Sequence, residues 1–138
     1  KIAILWIGIS CFAACKNYEE GPYFSLQTKK ARVTNTWEVE GLLDADGNDI
    51  SVNVNFYQLS FEGDGAAHVY ILDGTTPNEI LSGTWEFTDG KDTFSWQLEG
   101  DSTLFYYNPQ ETFDIYRLTG NQFWLIDKDN GKLFLKAL

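Results

Sequence analysis

The sequence predicts an all-β protein: an up-and-down antiparallel β-barrel of about eight strands, with one short helix on its N-terminal side. Short stretches that alternate apolar and polar residues recur along most of the chain, which is typical of half-buried strands. Brief turns rich in Gly, Asp and Asn separate them. Because closing such a sheet on itself removes exposed edges, a barrel is favoured, and a two-sheet sandwich is the alternative.

The beginning of the chain resembles a processed leader. An apolar run covers residues 2–14, which suits the hydrophobic region of a secretory signal and is too short to span a bilayer of roughly 30 Å as a helix. Ala13 and Ala14 directly before Cys15 resemble the lipobox of bacterial lipoproteins. The alternative interpretation, a buried apolar strand or helix of the fold, explains neither the small residues nor the cysteine.

The lipobox resemblance implies that the chain has three parts. Residues 1–14 form a signal peptide that is removed, residues 15–24 carry the lipidated Cys15 and a polar tether, and residues 25–138 form the barrel domain. The expected partner is then a membrane, through the lipid anchor. The expected location is the bacterial cell envelope at the outer membrane, on its periplasmic or its surface side. Cys11 would leave with the leader, so no disulfide is expected.

The charge distribution excludes nucleic acid as a partner. The net charge is −10, and between Val33 and Gly90 there are eleven Asp and Glu residues but no Lys or Arg. Such a surface repels phosphate backbones. Aromatic residues make up 16% of the chain, and their large apolar area provides much of the material for a hydrophobic core.

The N-terminal elements follow from capping and alternation. Residues 25–33 are predicted to form the helix, capped by Ser25, with basic residues toward its C-terminal end where the helix dipole favours cations. Alternation then predicts the first strand at residues 34–40. A polar turn follows at residues 44–49.

The middle of the chain is predicted to form a bent strand and a loop. The apolar face of a long strand at residues 52–62 changes parity near Phe56-Tyr57, and a β-bulge there would bend the strand as a barrel requires. Residues 67–72 form the next strand. Asp73-Gly74 then opens a loop through Pro77.

The remaining strands follow with short connections. Asp89-Gly90 is a hairpin turn signal between a strand at residues 80–88 and the cleanest alternation in the chain, at residues 93–99. Four more strands are predicted at residues 102–107, 112–119, 122–127 and 132–138.

Three motifs make the chain resemble the lipocalin-like lipoproteins of Bacteroidota. Asn35-Thr36-Trp37 opens the first strand, Gly83-Thr84-Trp85 lies mid-chain, and residues 115–119 pair with residues 123–125 late in the sequence. Together with the helix, these motifs are spread over nearly the whole mature chain, and the leader precedes them. The resemblance implies a lipocalin-like barrel in which Arg117 takes the place of the late-strand arginine that packs over the first tryptophan.

Aromatic residues are the most useful candidates for a binding site. A barrel of about eight strands has an interior that side chains fill or that holds one small ligand. Either the rings fill the core, or some of them line a cup open at one end, with tyrosine hydroxyls orienting the ligand. The candidate cavity residues are Trp37, Tyr57, Phe61, Trp85, Phe94, Trp96 and Tyr106.

No residue set in the sequence identifies a reaction. His68 lies on an alternating strand, where a solvated or hydrogen-bonded role is expected, and no serine lies on a nucleophile elbow. A turn with Asp44, Asp46 and Asp49 carries oxygen ligands that suit calcium, yet Asp, Asn and Gly also favour turns by themselves. Neither a cofactor nor a metal is therefore expected, and the protein is not expected to be an enzyme.

These observations predict a non-catalytic binding module. Its expected ligand is one small apolar or amphipathic molecule held by the barrel. The alternative is an interaction or structural module, with a solid barrel, that docks its acidic surface on another envelope protein. A hydrolase is the third interpretation, because the abundant acids could form a carboxylate pair.

Overall fold

Eight antiparallel strands form a closed barrel in the computed structural model, as the sequence predicts. The structure describes residues 25–88 and 92–138, so the predicted leader, Cys15 and the Asp89-Gly90 turn lie outside the described residues. Neighbouring strands pair in chain order, and the last strand pairs with the first. The strands are β1 (Asn35–Leu43), β2 (Tyr57–Phe61), β3 (Ala66–Asp73), β4 (Thr76–Thr88), β5 (Thr93–Gly100), β6 (Gln110–Leu118), β7 (Gln122–Ile126) and β8 (Lys132–Ala137).

The helix α1 (Ser25–Val33) has the predicted bounds and packs at the end of the barrel where β1 begins. Val33 is fully buried, and its carbonyl oxygen accepts a hydrogen bond from Nε1 of Trp37 at 2.9 Å. The Trp37 ring in turn packs on Phe123, with ring centroids 5.6 Å apart. The described helix is too short and too polar to cross a membrane.

Arg117 packs on a different tryptophan from the one that the lipocalin resemblance implies. Its guanidinium lies over Trp124, 5.2 Å from the ring centroid, and its Nε donates to Gln122 at 2.8 Å. The register of β6 and β7 shifts between Ile115 and Arg117, which places Arg117 opposite Trp124. Because Trp124 lies between two inward residues of β7, it faces outward, and so does the guanidinium above it. The prediction that Arg117 packs over Trp37 is therefore wrong.

Because adjacent strands run in opposite directions, alternate connections meet at the same end of the barrel. The segments after β1, β3, β5 and β7 form one end, which we call the mouth: residues 44–56, 74–75, 101–109 and 127–131. All four are described by the structure. The helix and the connections at residues 62–65 and 119–121 lie at the opposite end.

The predicted long strand at residues 52–62 is wrong in its first half. Ser51–Asn53 form a 3-10 helix and the strand begins only at Tyr57. The amides of Val54 and Asn55 both donate to the carbonyl of Ser51, so these two donors are used locally and not in a strand ladder. The change of parity marks the start of the strand and is not a β-bulge. The extra residues that shift the register lie instead on β1, β4 and β6, at Glu40, Ile80 and Tyr116.

The start of β4 also differs from the prediction. β4 begins at Thr76, inside the loop predicted to run through Pro77, and Pro77 lies opposite Leu72 in the ladder. A proline is tolerated there because it stands near the first residue of the strand. The hairpin turns at Gly74, whose φ of 65° lies in the left-handed region that glycine adopts without strain.

Aromatic rings fill the centre of the barrel. The fully buried Phe94 has its ring centroid 5.0 Å from Phe61, 5.7 Å from Trp85, 6.2 Å from Trp96 and 5.1 Å from Phe123. Three of these four contacts are edge-to-face, an arrangement worth about 0.5–1.5 kcal/mol per pair beyond the burial of area. The core is therefore a single aromatic cluster joining strands from around the barrel.

Gly83 allows β4 and β5 to approach each other closely. It lies opposite Leu98, and a Cβ at this position would come within 1.9 Å of the carbonyl oxygen of Gln97. Only glycine fits without moving one strand away from the other. The Gly83-Thr84-Trp85 motif thus combines a close backbone approach with an inward ring, since Trp85 is buried two residues later.

Candidate ligand-binding site at the barrel mouth

Six of the seven candidate cavity aromatics lie in the core and one lies on the surface. The buried residues are all at most 5% exposed, and they form parts of the aromatic cluster. Tyr106 is 46% exposed and lies in the segment between β5 and β6. The buried set is Trp37, Tyr57, Phe61, Trp85, Phe94 and Trp96.

The segment between β5 and β6 is not the strand predicted at residues 102–107. Ser102–Leu104 form a 3-10 helix, capped by the carboxylate of Asp101, which accepts from the amide of Thr103. The backbone then continues in an extended conformation at Phe105 without a strand partner. Burial still alternates here, with Phe105 and Tyr107 inside and Tyr106 outside, which explains why the pattern looks like a strand. We call residues 101–109 the mouth loop.

Tyr57 fastens the mouth loop to the barrel. Its hydroxyl donates to the carbonyl of Leu104 at 2.5 Å and accepts from the amide of Tyr106 at 3.0 Å. Both loop groups would otherwise lack a strand partner. Burial raises the pKa of Tyr57 above its ordinary value, so the hydroxyl keeps its proton and its donor role at neutral pH.

Two inward residues of the mouth loop rest on Trp96. Phe105 and Tyr107 have ring centroids 5.7 Å and 5.9 Å from the Trp96 ring. The Nε1 of Trp96 also donates to the carbonyl of Asn108 at 3.1 Å. The loop therefore closes the mouth above the core with its own aromatic side chains.

Two adjoining cavities lie beside the mouth loop. The larger measures about 450 Å³ and is lined by residues of β5 and β6, including Trp96 and Thr112. The smaller measures about 210 Å³ and lies between the mouth loop and the turn after β7. Glu111 and Lys128 line both cavities, so the two lie side by side. The larger has a volume within the range typical of small-molecule sites, from about 300 to 1,000 Å³.

A buried hydroxyl without a hydrogen-bond partner belongs to a residue that lines the smaller cavity. Tyr107 lines this cavity and is 7% exposed, and its hydroxyl makes no hydrogen bond to any described residue. Burial raises the pKa of Tyr107, and the nearby charges of Asp127 and Glu111 raise it further. Since an unmade hydrogen bond in a buried place costs free energy, this hydroxyl is suited to a ligand that supplies the missing partner.

Carboxylates flank the Tyr107 hydroxyl. Asp127 shapes the turn after β7 by accepting at Oδ1 from the amides of Asp129 and Gly131, at 2.9 and 2.8 Å. Its Oδ2 accepts no hydrogen bond from the described residues. Glu111 accepts at Oε2 from the amide of Asn108 at 3.3 Å. Each carboxylate therefore has one oxygen that accepts no hydrogen bond from the described residues.

Alternation alone identified none of the polar residues of the mouth. Tyr107, Glu111, Asp127 and Lys128 come from three different segments, which only the closed barrel brings together. The one useful signal in the sequence was the aromatic run that contains Tyr106 and Tyr107. Of the candidate residues named from sequence, Tyr106 and Trp96 line the two cavities, and Tyr57 holds the loop beside them.

The acidic turn after β1 uses its carboxylates to hold its own backbone. Asp44 accepts from the amides of Asp46 and Asn48, both at 2.9 Å, and Asp49 accepts from the amide and hydroxyl of Ser51. These hydrogen bonds lower the pKa of both carboxyl groups, Asn48 contributing most to Asp44 and Ser51 to Asp49. No group of three or more potential metal-binding side chains occurs in the described parts of the chain.

His68 lies on the outside of β3 between two carboxylates. Its Nε2 is 3.0 Å from Glu62 and its Nδ1 is 3.1 Å from Glu79. The ring also stacks near Tyr70, with centroids 6.3 Å apart. Both ring nitrogens are thus engaged, as expected for a hydrogen-bonded strand residue, and no hydroxyl nucleophile contacts the imidazole among the residues described.

Comparison with known proteins identifies the fold. No protein-family model matches the chain, and no curated protein matches it. A lipocalin-like protein from Bacteroides uniformis superposes with a TM-score of 0.63 at 16% identity, covering 78% of this chain and 99% of that one. An uncharacterized protein from Bacteroides eggerthii gives 0.62 at 16% identity, with 76% and 98% covered.

A more distant likeness extends over more of the chain. A protein from Burkholderia xenovorans superposes with a TM-score of 0.53 at 13% identity and covers 98% of this chain and 99% of that one. These identities are low, so the likeness concerns the backbone architecture. With its eight strands closed in chain order and its short helix, the protein has a lipocalin-like fold.

Proposed function

We propose that this protein is a lipid-anchored, lipocalin-like binding module of the bacterial cell envelope, which holds one small apolar or amphipathic molecule at the barrel mouth without transforming it. The observation that carries the proposal is the buried, unpartnered hydroxyl of Tyr107, a residue that lines a cavity beside the mouth loop. Apolar rings lie next to this hydroxyl, so a ligand with one polar end and one apolar part fits the chemistry.

The location of the site follows from how the barrel is filled. The centre is occupied by the aromatic cluster around Phe94, whereas the mouth has two cavities that Glu111 and Lys128 both line. A ligand that occupies these cavities does not have to displace core side chains. A larger ligand would have to lift the mouth loop, which two hydrogen bonds to Tyr57 and two ring contacts to Trp96 hold down.

The binding function is tested by a thermal-shift screen of the chain against fatty acids, sterols, haem, amphipathic amines and hydrophobic dyes. A ligand at the mouth should raise the melting temperature of the wild type but not of Thr112→Trp, in which an indole fills the larger cavity. Thr76→Trp is the matched control, because Thr76 is also an exposed strand threonine but lines neither of the two cavities. If no compound of the panel raised the melting temperature of the wild type, the proposed binding function would be contradicted.

The lipid anchor rests on the lipobox resemblance at Ala13, Ala14 and Cys15. Mass spectrometry of protein recovered from bacterial membranes should find Cys15 as the first residue, carrying acyl chains. Cys15→Ala should release the protein from the membrane fraction. An uncut N-terminus with an unmodified cysteine would contradict the anchor while leaving the binding site in place.

A second function, docking on another envelope protein, is favoured by the filled interior and the acidic outer surface. Around His68 of β3, Glu62 from the turn after β2 and Glu79 from β4 carry exposed carboxylates, and Glu86 is also exposed on β4. The part of the chain described between Thr34 and Thr88 contains no Lys or Arg to neutralise them. Crosslinking in intact cells should then capture one defined partner, and salt should weaken that complex, because exposed charges are screened.

A further inference from the structure

We propose that the smaller mouth cavity selects a cationic head group, so that the ligand is an amphipathic organic amine. The ammonium would lie between Glu111, Asp127 and the hydroxyl of Tyr107, and the apolar part of the ligand would extend past Glu111 into the larger cavity. This inference rests on the proposed binding function and specifies its ligand class.

The charges around the smaller cavity favour a cation. Three carboxylates line it, those of Glu111, Asp127 and Asp129, against one ammonium, that of Lys128. The net negative charge there would repel the carboxylate of a ligand and attract its ammonium group. Because the cavity is partly enclosed by the mouth loop, this attraction is screened less than it would be on an open surface.

The hydrogen-bonding groups match an ammonium in number and kind. An alkylammonium has three donors and no acceptor. Three acceptors on residues that line the cavity have no hydrogen-bond partner among the described residues: the Tyr107 hydroxyl, Oδ2 of Asp127, and the Glu111 oxygen that does not accept from Asn108. Hydrogen bonds in which one partner is charged are stronger than those between neutral groups. A neutral alcohol could satisfy only part of this set.

The aromatic rings beside the cavity add to the preference. Tyr106 is half-exposed and stands edge-to-face with Tyr107, their centroids 5.0 Å apart. The face of a tyrosine ring attracts a cation within about 6 Å by its quadrupole. Ring faces, unlike carboxylates, also accommodate the methylene groups next to a charged nitrogen.

The glycine at position 131 leaves room for the carboxylate of Asp127. A Cβ at Gly131 would come within 2.6 Å of Oδ2 of Asp127. The carboxylate therefore packs directly against the glycine backbone while its other oxygen holds the turn. The turn thus fixes one acceptor of the cavity before any ligand arrives.

The inference is tested with three probes that share a phenyl group and differ in charge: 2-phenylethylamine, 2-phenylethanol and 3-phenylpropanoate. Calorimetric titration of the full chain at pH 7 should give the amine at least about ten-fold tighter binding than the alcohol, since a charge-assisted hydrogen bond is worth about 1.5–3 kcal/mol. The carboxylate should bind more weakly than the alcohol.

Variants of the residues that line the smaller cavity locate the effect. Glu111→Gln and Tyr107→Phe should each weaken amine binding about five-fold or more, because each removes an acceptor. Lys128→Gln, which lines the same cavity, should bind the amine at least as tightly as the wild type. Asp129→Asn is a second carboxylate variant that leaves the hydrogen bonds of Asp127 intact. Asp129→Asn should weaken amine binding less than Glu111→Gln does. For each variant, a melting temperature equal to that of the wild type excludes misfolding.

Failure of this inference can be separated from failure of the binding function. Binding of the alcohol or the carboxylate as tight as that of the amine would overturn the cation preference while leaving a ligand site at the mouth. Absence of amine binding would also overturn it, and the ligand screen with Thr112→Trp then decides whether the mouth binds any ligand. Equal effects of Glu111→Gln and Lys128→Gln would likewise contradict the assignment.

Discussion

The hydroxyl of Tyr57 donates to the carbonyl oxygen of Leu104 across a separation of 47 residues, with the two oxygens 2.5 Å apart. The same hydroxyl accepts from the amide of Tyr106, so one side chain at the start of β2 takes the place of a neighbouring strand for the mouth loop. The loop that covers the candidate site is therefore ordered by a side chain and not by a sheet.

Tyr57→Phe should loosen the mouth loop without unfolding the barrel. The change removes both hydrogen bonds and leaves two loop groups without partners, which costs about 1–3 kcal/mol. Urea unfolding should show this loss, and hydrogen exchange at the Tyr106 amide should accelerate. Tyr116→Phe is the matched control, because Tyr116 is 53% exposed on the outside of β6. Equal exchange of the Tyr106 amide in both variants would contradict the role given to Tyr57.

Gly83→Ala should separate β4 from β5. The added methyl would overlap the carbonyl oxygen of Gln97 at 1.9 Å, and overpacking of this kind costs about 1–3 kcal/mol, or more where backbone must move. Gly41→Ala is the control, since its Cβ would only touch the Phe134 ring at 3.8 Å. The melting temperature should fall clearly for the first variant and stay near that of the wild type for the second. A similar fall in both would contradict the close approach of the strands.

The sequence predicted the architecture because alternation reports which side of a chain is buried. β5 illustrates this: Phe94, Trp96 and Leu98 are all buried, and the strand extends one residue past its predicted end. The same signal was wrong at residues 102–107. There the extended backbone at Phe105 also points alternate side chains inward and outward, yet the partner of the Tyr106 amide is a side chain. Alternation does not distinguish a ladder from such a contact.

The polar site could not be predicted for a related reason. Tyr107, Glu111 and Asp127 belong to different segments, and each looks like an ordinary loop or strand residue by itself. What makes them a site is that the Tyr107 hydroxyl is buried without a partner beside two carboxylates. This arrangement arises only when the barrel closes, and no local pattern in the sequence indicates it.

Phe94→Ala should remove a large share of the stability of the barrel. The ring contacts four other aromatic residues and is fully buried, and truncating such a ring typically costs about 3–5 kcal/mol. Val52→Ala is the control, because Val52 is 73% exposed. Urea midpoints of the two variants measure the difference. A loss below about 1 kcal/mol for Phe94→Ala would show that the core is less tightly packed than the ring distances indicate.

Tyr107→Phe should leave stability at pH 7 unchanged or increased, because the hydroxyl it removes is buried without a partner among the described residues. At alkaline pH the variant should become the more stable protein. The pKa of Tyr107 is raised in the folded state by burial, from an ordinary value of 10.0, so above about pH 10 only the unfolded chain ionises.

The raised pKa thus gives stability that is complete below pH 10 and is lost as the pH rises further. The wild type should lose about 1.4 kcal/mol per pH unit above 10 at this site, and Tyr107→Phe should not. Urea unfolding of both proteins at pH 7, 10 and 11 measures the difference. If the difference in unfolding free energy between the two proteins stayed constant from pH 7 to 11, Tyr107 would ionise equally in the folded and the unfolded state. The buried hydroxyl at the mouth would then be in contact with water.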